Sequence, residues 1–150
     1  GQGVKQDFKE AVKWYQKAAD QGHAKAQNNL GVMYGKGQGV KQDFKEAVKW
    51  YQKAAEQGNA LAQVSLGVMY YNGQGVEQDF KETVKWWRKA ADQGLAPAQT
   101  NLGVMYYEGR GVAQDNQTAY AWGNIAAANG YENAKKLKDL VMKSKRSRIS

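Results

Sequence analysis

Apolar residues recur along this chain at helical spacing, and the pattern itself recurs. In residues 43–58, Phe44, Ala47, Val48, Tyr51, Ala54 and Ala55 fall on one face at three- and four-residue steps, the periodicity of an amphipathic helix. Asp43 stands just before the run and Glu46 three residues beyond it, a capping-box pair that starts a helix. Gly58 ends it, because glycine takes the left-handed conformation at a helix C-terminus. A second helix is expected from Ala60 to Tyr71, with Gln63, Leu66, Gly67 and Tyr70 on one face. Asn72-Gly73-Gln74-Gly75 then breaks it. Nothing alternates with period two, so no strand is expected.

The whole pattern returns every 36 residues: Gly1-Gln2-Gly3-Val4 recurs at Gly37-Gln38-Gly39-Val40 and Gly73-Gln74-Gly75-Val76, then as Gly109-Arg110-Gly111-Val112. Trp14, Trp50 and Trp86 keep phase, as do Leu30, Leu66 and Leu102. The units are 1–36, 37–72, 73–108 and an atypical 109–144, which make one repeat domain over 1–144. Residues 145–150 form a basic, frayed tail. Gly1 falls in an inter-helix turn, so the first helix of its unit is expected to be missing. Repeats this alike fit recent duplication or consensus design. Neither helix can bury its stripe alone, whereas stacked hairpins can, so the fold class is all-α: an α-α superhelix, or solenoid, of helix-turn-helix repeats. Gly31, Gly67 and Gly103 sit mid-helix, where glycine costs about 1 kcal/mol against alanine; its recurrence there points to close helix approach. Trp50 and Tyr51 are expected to wedge between hairpins.

A length of 150 residues with 42% hydrophobic side chains suits one domain with a core. The absence of cysteine excludes disulfides and thiolate metal sites. No apolar run reaches the length of a membrane span. The formal charge of +8 is uneven. From Lys135 onward seven basic residues face one acid, Asp139, so a net +6 sits at that end of a nearly neutral body.

Residues Asp43 to Gly58 and Ala60 to Val76 match, almost position by position, the patterns D-x-x-x-A-x-x-W-Y-x-K-A-A-x-Q-G and A-x-A-Q-x-x-L-G-x-M-Y-x-x-G-x-G-V. The chain thereby resembles the SEL-one-like repeat family, relatives of the tetratricopeptide repeat, from Gly1 to about Gly130. The resemblance implies an adaptor or scaffold. It also implies a bacterial protein that is periplasmic or secreted, concerned with host interaction or the envelope. The fourth unit departs from the pattern. Asn116-Gln117-Thr118 replaces Phe-Lys-Glu and Ala121-Trp122-Gly123 replaces Lys-Trp-Tyr, as in a terminal unit that caps the array. Ala134, Leu137, Leu140 and Val141 fit one last amphipathic helix ending near Lys143.

No constellation for catalysis, cofactor or metal emerges, so the chain reads as no enzyme. The single histidine, His23, sits where Asn59 and Leu95 stand in other units. Gly35-Lys36-Gly37-Gln38-Gly39 has neither the spacing nor the preceding strand of a phosphate loop. Asp43 and Glu46 recur as caps rather than as an acid-base pair. Asn116-Gln117-Thr118 is a glycosylation sequon by pattern only. Lys45, Lys49 and Lys53, repeated at Lys9, Lys13, Lys17 and Lys81, Lys85, Lys89, read as a solvated outer face. Trp87 reads as core.

The repeats differ mostly on their second helices. Lys25, Leu61 and Pro97 correspond, as do Asn28, Val64 and Thr100; Asn29, Ser65 and Asn101; and Gly35, Tyr71 and Tyr107. At about 100° per residue these positions fall opposite Gln27, Leu30, Gly31 and Tyr34. The candidate protein-binding face, on the concave side, is therefore Lys25, Asn28, Asn29, Val32, Leu61, Val64, Ser65, Val68, Tyr71, Thr100, Asn101, Val104 and Tyr107. Its apolar members are expected to form an exposed strip with a polar rim, the composition of a contact site. Drift at solvent positions would give the same variation. The leading function is a monomeric scaffold that grips a peptide or protein segment. Alternatives are electrostatic binding of nucleic acid or anionic membrane by the basic end, without sequence-specific nucleic-acid recognition, and an envelope hydrolase.

Overall fold

The computed structural model describes the backbone of residues 2–149 and the side chains of residues 3–146. Among the described residues there are eight helices and no strand. They group into two compact units, Gly1–Gln78 and Asp79–Ser150. In the first, α1 (Gln2–Asp20) pairs with α2 (Ala24–Lys36), α3 (Phe44–Glu56) pairs with α4 (Ala60–Asn72), and α2 packs on α3. In the second, α5 (Phe80–Asp92) pairs with α6 (Ala96–Glu108) and α7 (Asn116–Ala128) with α8 (Asn133–Ile149), and α6 packs on both α7 and α8.

The boundaries follow from local chemistry. Asp43 accepts the Glu46 N–H at 3.2 Å, Asp79 accepts those of Lys81 and Glu82, and Asp115 that of Thr118. Each bond satisfies a donor that a helix start leaves open. Gly39 has a second reason to be glycine besides its φ of 74°. A Cβ there would stand 2.5 Å from the Phe8 carbonyl oxygen, and Gly75 meets Phe44 in the same way. Loop backbone lies directly on helix backbone, so a side chain has no room.

Leu30, Leu66 and Leu102 are fully buried. In the first unit Trp50 reaches back from α3 to pack with Ala19, Ala26 and Leu30. Its neighbour Tyr51 lies across α2, where a Cβ on Gly31 would come within 2.7 Å of the ring. The two aromatics therefore wedge between hairpins as expected, and Gly31 is the space that admits one of them. Each inner turn is also tied from within. The buried Gln27, Gln63 and Gln99 donate from Nε2 to the carbonyls of Ala19, Ala55 and Ala91, at 3.1 Å in all three cases. Gln57 and Asn129 donate in turn to the Gln27 and Gln99 side-chain oxygens, at 2.8 and 3.1 Å.

Two details depart from the sequence expectations, and a third shows how the atypical last repeat is packed. The first Gly-Gln-Gly-Val forms no turn over its described residues: Gln2, Gly3 and Val4 belong to α1, and Gly1 lies outside the described residues. The reason is local, since a Cβ on Gly3 would meet nothing within 4 Å, whereas Gly39 is pressed onto Phe8. At the other end α8 continues past Lys143 to Ile149, and Ser150 lies outside the described residues. No glycine or proline follows Gly130, and lysine and arginine are good helix formers. Finally, Gly123 stands where Tyr51 and Trp87 stand in earlier repeats. The space beside Gly103 is filled instead by Leu137 of α8, whose Cδ2 lies 2.6 Å from where a Gly103 Cβ would be.

Candidate protein-binding face

The second helix of each hairpin carries the candidate positions, and the structure divides them. On α2, Lys25 is exposed, Asn29 and Val32 are half-buried, and Asn28 is buried at 7% exposure. On α4, Leu61 stands out at 59% exposure, while Val64, Ser65, Val68 and Tyr71 are half-buried. On α6, Thr100 is buried at 7%, and Asn101, Val104 and Tyr107 are half-buried.

The expected strip is thus not uniformly open. Asn28 and Thr100, read as positions facing away from the core, are inside it. Asn28 Oδ1 and Thr100 Oγ1 have no hydrogen-bond partner among the described residues, and no solvent reaches them, so they offer a partner nothing in this conformation. Val104 and Tyr107 are partly covered, because they pack against Ala119, Leu137 and Val141 of the last hairpin. Periodicity within one hairpin does not register cover from another, and α8 partly covers this face. Among the candidate positions the exposed apolar side chain is Leu61, on α4.

Local bonds hold that helix. Burial pushes the Tyr51 phenol up from its ordinary pKa, opposed by a hydrogen bond with the Ser65 hydroxyl, which ties α3 to the candidate face of α4. The carbonyl of Tyr71 accepts the Gln78 side-chain amide at 2.8 Å, as that of Gly35 accepts Gln42. Sequence reasoning had placed Gln27 and Gln63 on the core side but missed what their amides do. A glutamine recurring among buried alanines is the signal that could have revealed it.

The other residues singled out have structural surroundings. His23 is exposed at the α2 N-cap and makes no side-chain cap bond, whereas Asn59 at the same repeat position caps Ala62 at 2.9 Å. The lysine stripe is exposed, and it also flanks buried indoles: Lys49 and Lys53 lie 5.1 and 4.8 Å from the Trp50 ring centroid, and Lys85 and Lys89 lie 4.8 and 4.9 Å from that of Trp86. Trp87 is core. Among the described residues no three His, Cys, Asp or Glu side chains are grouped to hold a metal ion. No described helix is long and apolar enough to cross a membrane.

The family model for the Sel1 repeat matches residues 1–23, 24–59, 60–95 and 96–131. The chain belongs to the Sel1 repeat family. Each full match begins with a second helix, so the family's unit is the present one shifted by a helix. A protective antigen present in uropathogenic Escherichia coli strains, with an SLR fold, is 42% identical; the match covers 82% of this chain and 26% of that one, with a TM-score of 0.80. A Sel1 repeat protein from Oxalobacter formigenes is 41% identical over 87% of this chain and 54% of its own, with a TM-score of 0.83. Helicobacter pylori cysteine rich protein B is 26% identical over 89% and 96%, with a TM-score of 0.69. The chain therefore spans about a quarter and about half of the first two. No curated protein matches it. The fold class is that of these Sel1 repeat structures, the all-α helix-turn-helix repeat of the α-α superhelix class. Their bacterial origin fits this chain.

Proposed function

We propose that this Sel1 repeat chain is a non-catalytic binding module that holds a peptide or protein segment against α4. Sel1 repeats commonly serve protein-protein interaction. The observation that carries the reading is Leu61, a large apolar side chain at 59% exposure beside the half-buried Val64, Val68 and Tyr71. It occupies a position that is lysine in one repeat and proline in another. An apolar centre with polar neighbours is how contact sites are built, and aromatic residues there often dominate binding.

The test is affinity capture from bacterial envelope extract with the parent chain and with Leu61→Asp and Tyr71→Ala side by side. The partners that the parent retains should be depleted by both variants, each by a loss of more than about 1 kcal/mol in affinity. Leu61→Asp should melt at nearly the parent temperature because the site is open. Undiminished capture by both variants would remove α4 as the binding face.

A further inference from the structure

We propose that the loop edge of the first unit is a second binding site, a basic groove for an extended acidic peptide bearing apolar side chains. Two clefts lie there, of about 790 and 520 Å³. Val40 and Lys41 line both, so the clefts adjoin and form one groove. The repeat places the same group in each: Lys5, Phe8 and Lys9 in one, and Lys41, Phe44 and Lys45 in the other. The phenyl rings are half-buried and the four lysines exposed. Among the described residues none of these lysines is in an ion pair. A groove with an apolar floor and unneutralised cations along it matches carboxylates alternating with apolar side chains.

The second unit shows the contrast. There the equivalent phenyl ring, Phe80, has Arg110 of its own chain 5.5 Å from its centroid, and Arg110 is paired with Glu108 at 3.0 Å. Gln38 and Gln74 stand at the corresponding positions of the first unit, and Glu77 replaces the leading lysine of the third repeat. The repeat that supplies its own cation over the ring thus lacks the lysine pair, and the repeats with the lysine pair leave the ring to a partner. Acids bordering the groove favour a peptide over a nucleic acid. Asp43 lines it, and Asp43 and Glu46 together add to the burial that raises the Tyr34 phenol pKa. A phosphate chain, charged at every nucleotide, would be set against these carboxylates; a peptide can place uncharged residues opposite them.

The experiment is fluorescence anisotropy on the full chain with a labelled peptide of alternating glutamate and leucine, about twelve residues long and so roughly 40 Å when extended. Poly-glutamate of the same length and a single-stranded oligothymidine are the companion probes. The glutamate-leucine peptide should bind, and poly-glutamate several-fold more weakly. Lys41→Glu, at a residue common to both clefts, should weaken the peptide about tenfold or more, and Lys41→Ala should weaken it in the same direction. Lys13→Glu makes the same charge change at an exposed position outside the clefts, and should cost less than about twofold. Equal losses in Lys13→Glu and Lys41→Glu would reduce the effect to general attraction. Tighter binding of oligothymidine, or no peptide binding, would also overturn the proposal. None of these outcomes bears on Leu61, so this site and the α4 face stand or fall separately.

Discussion

At the α7 cap, Thr118 gives Asp115 two bonds. Its hydroxyl donates to Asp115 at 2.7 Å while its backbone N–H donates at 3.2 Å. First the hydroxyl and then the N–H hold this carboxyl below the ordinary Asp value of 3.8. A carboxylate depressed on folding stabilises the fold above its unfolded pKa, and that contribution fades as pH falls through the lower folded value. The cap should therefore weaken only in acid below about pH 4. Thr118→Val removes the larger cause, so the Asp115 pKa should rise toward its ordinary value in an NMR titration of the side-chain carboxyl. An unmoved titration would assign the depression to the backbone alone. Residue-scale choices of this kind also set packing. Gly31 makes room for Tyr51, and where that aromatic becomes Gly123 the room beside Gly103 goes to Leu137 instead.

At the scale of the helix, the two faces should respond differently to truncation. Leu66 is fully buried on α4, so Leu66→Ala should cost about 2–5 kcal/mol in a denaturant titration. Lys49 is exposed on α3, and Lys49→Ala should cost about 0.5 kcal/mol or less despite its place beside Trp50. Equal costs would show that the faces are misassigned. These faces were legible in the sequence because caps, turn glycines and core leucines act within a single hairpin, and 36 residues later the same residues act again. What escaped needed knowledge of neighbours. Asn28 and Thr100 are polar and read as solvent-facing, yet their burial comes from packing that periodicity does not encode. Val104 and Tyr107 looked open until α8 was in place. The run of α8 past Lys143 carries no apolar periodicity to mark it, although nothing in its composition stops a helix. The loop-edge clefts arise from glycine loops laid on helix starts, a juxtaposition without a periodic signature.

Across the repeats, the tryptophans at one position differ in how far they are covered. Trp50 and Trp86 are 4% and 2% exposed, whereas Trp14, at the same repeat position, is 61% exposed with Lys17 4.8 Å from its ring. Trp14 corresponds in the repeat to Trp50, which in the first unit plugs a socket of Ala19, Ala26 and Leu30. A plug on one copy that meets a socket on another makes a heterologous contact, which propagates without limit where it does not close. The socket leucines recur as Leu30, Leu66 and Leu102, and the next position in that series is Lys138. Its half-buried stem reaches along α7, 3.0 Å from where a Gly123 Cβ would be, and its ammonium lies 5.5 Å from the Tyr120 ring centroid. An arriving indole would have to displace a cation there instead of entering an apolar seat. Lys138→Leu should restore the seat, and sedimentation velocity should then show concentration-dependent association that Trp14→Ala abolishes. A Lys138→Leu chain that sediments like its parent at every concentration would mean that this lysine is no barrier; if the association appears, one ammonium group is a guard against polymerisation.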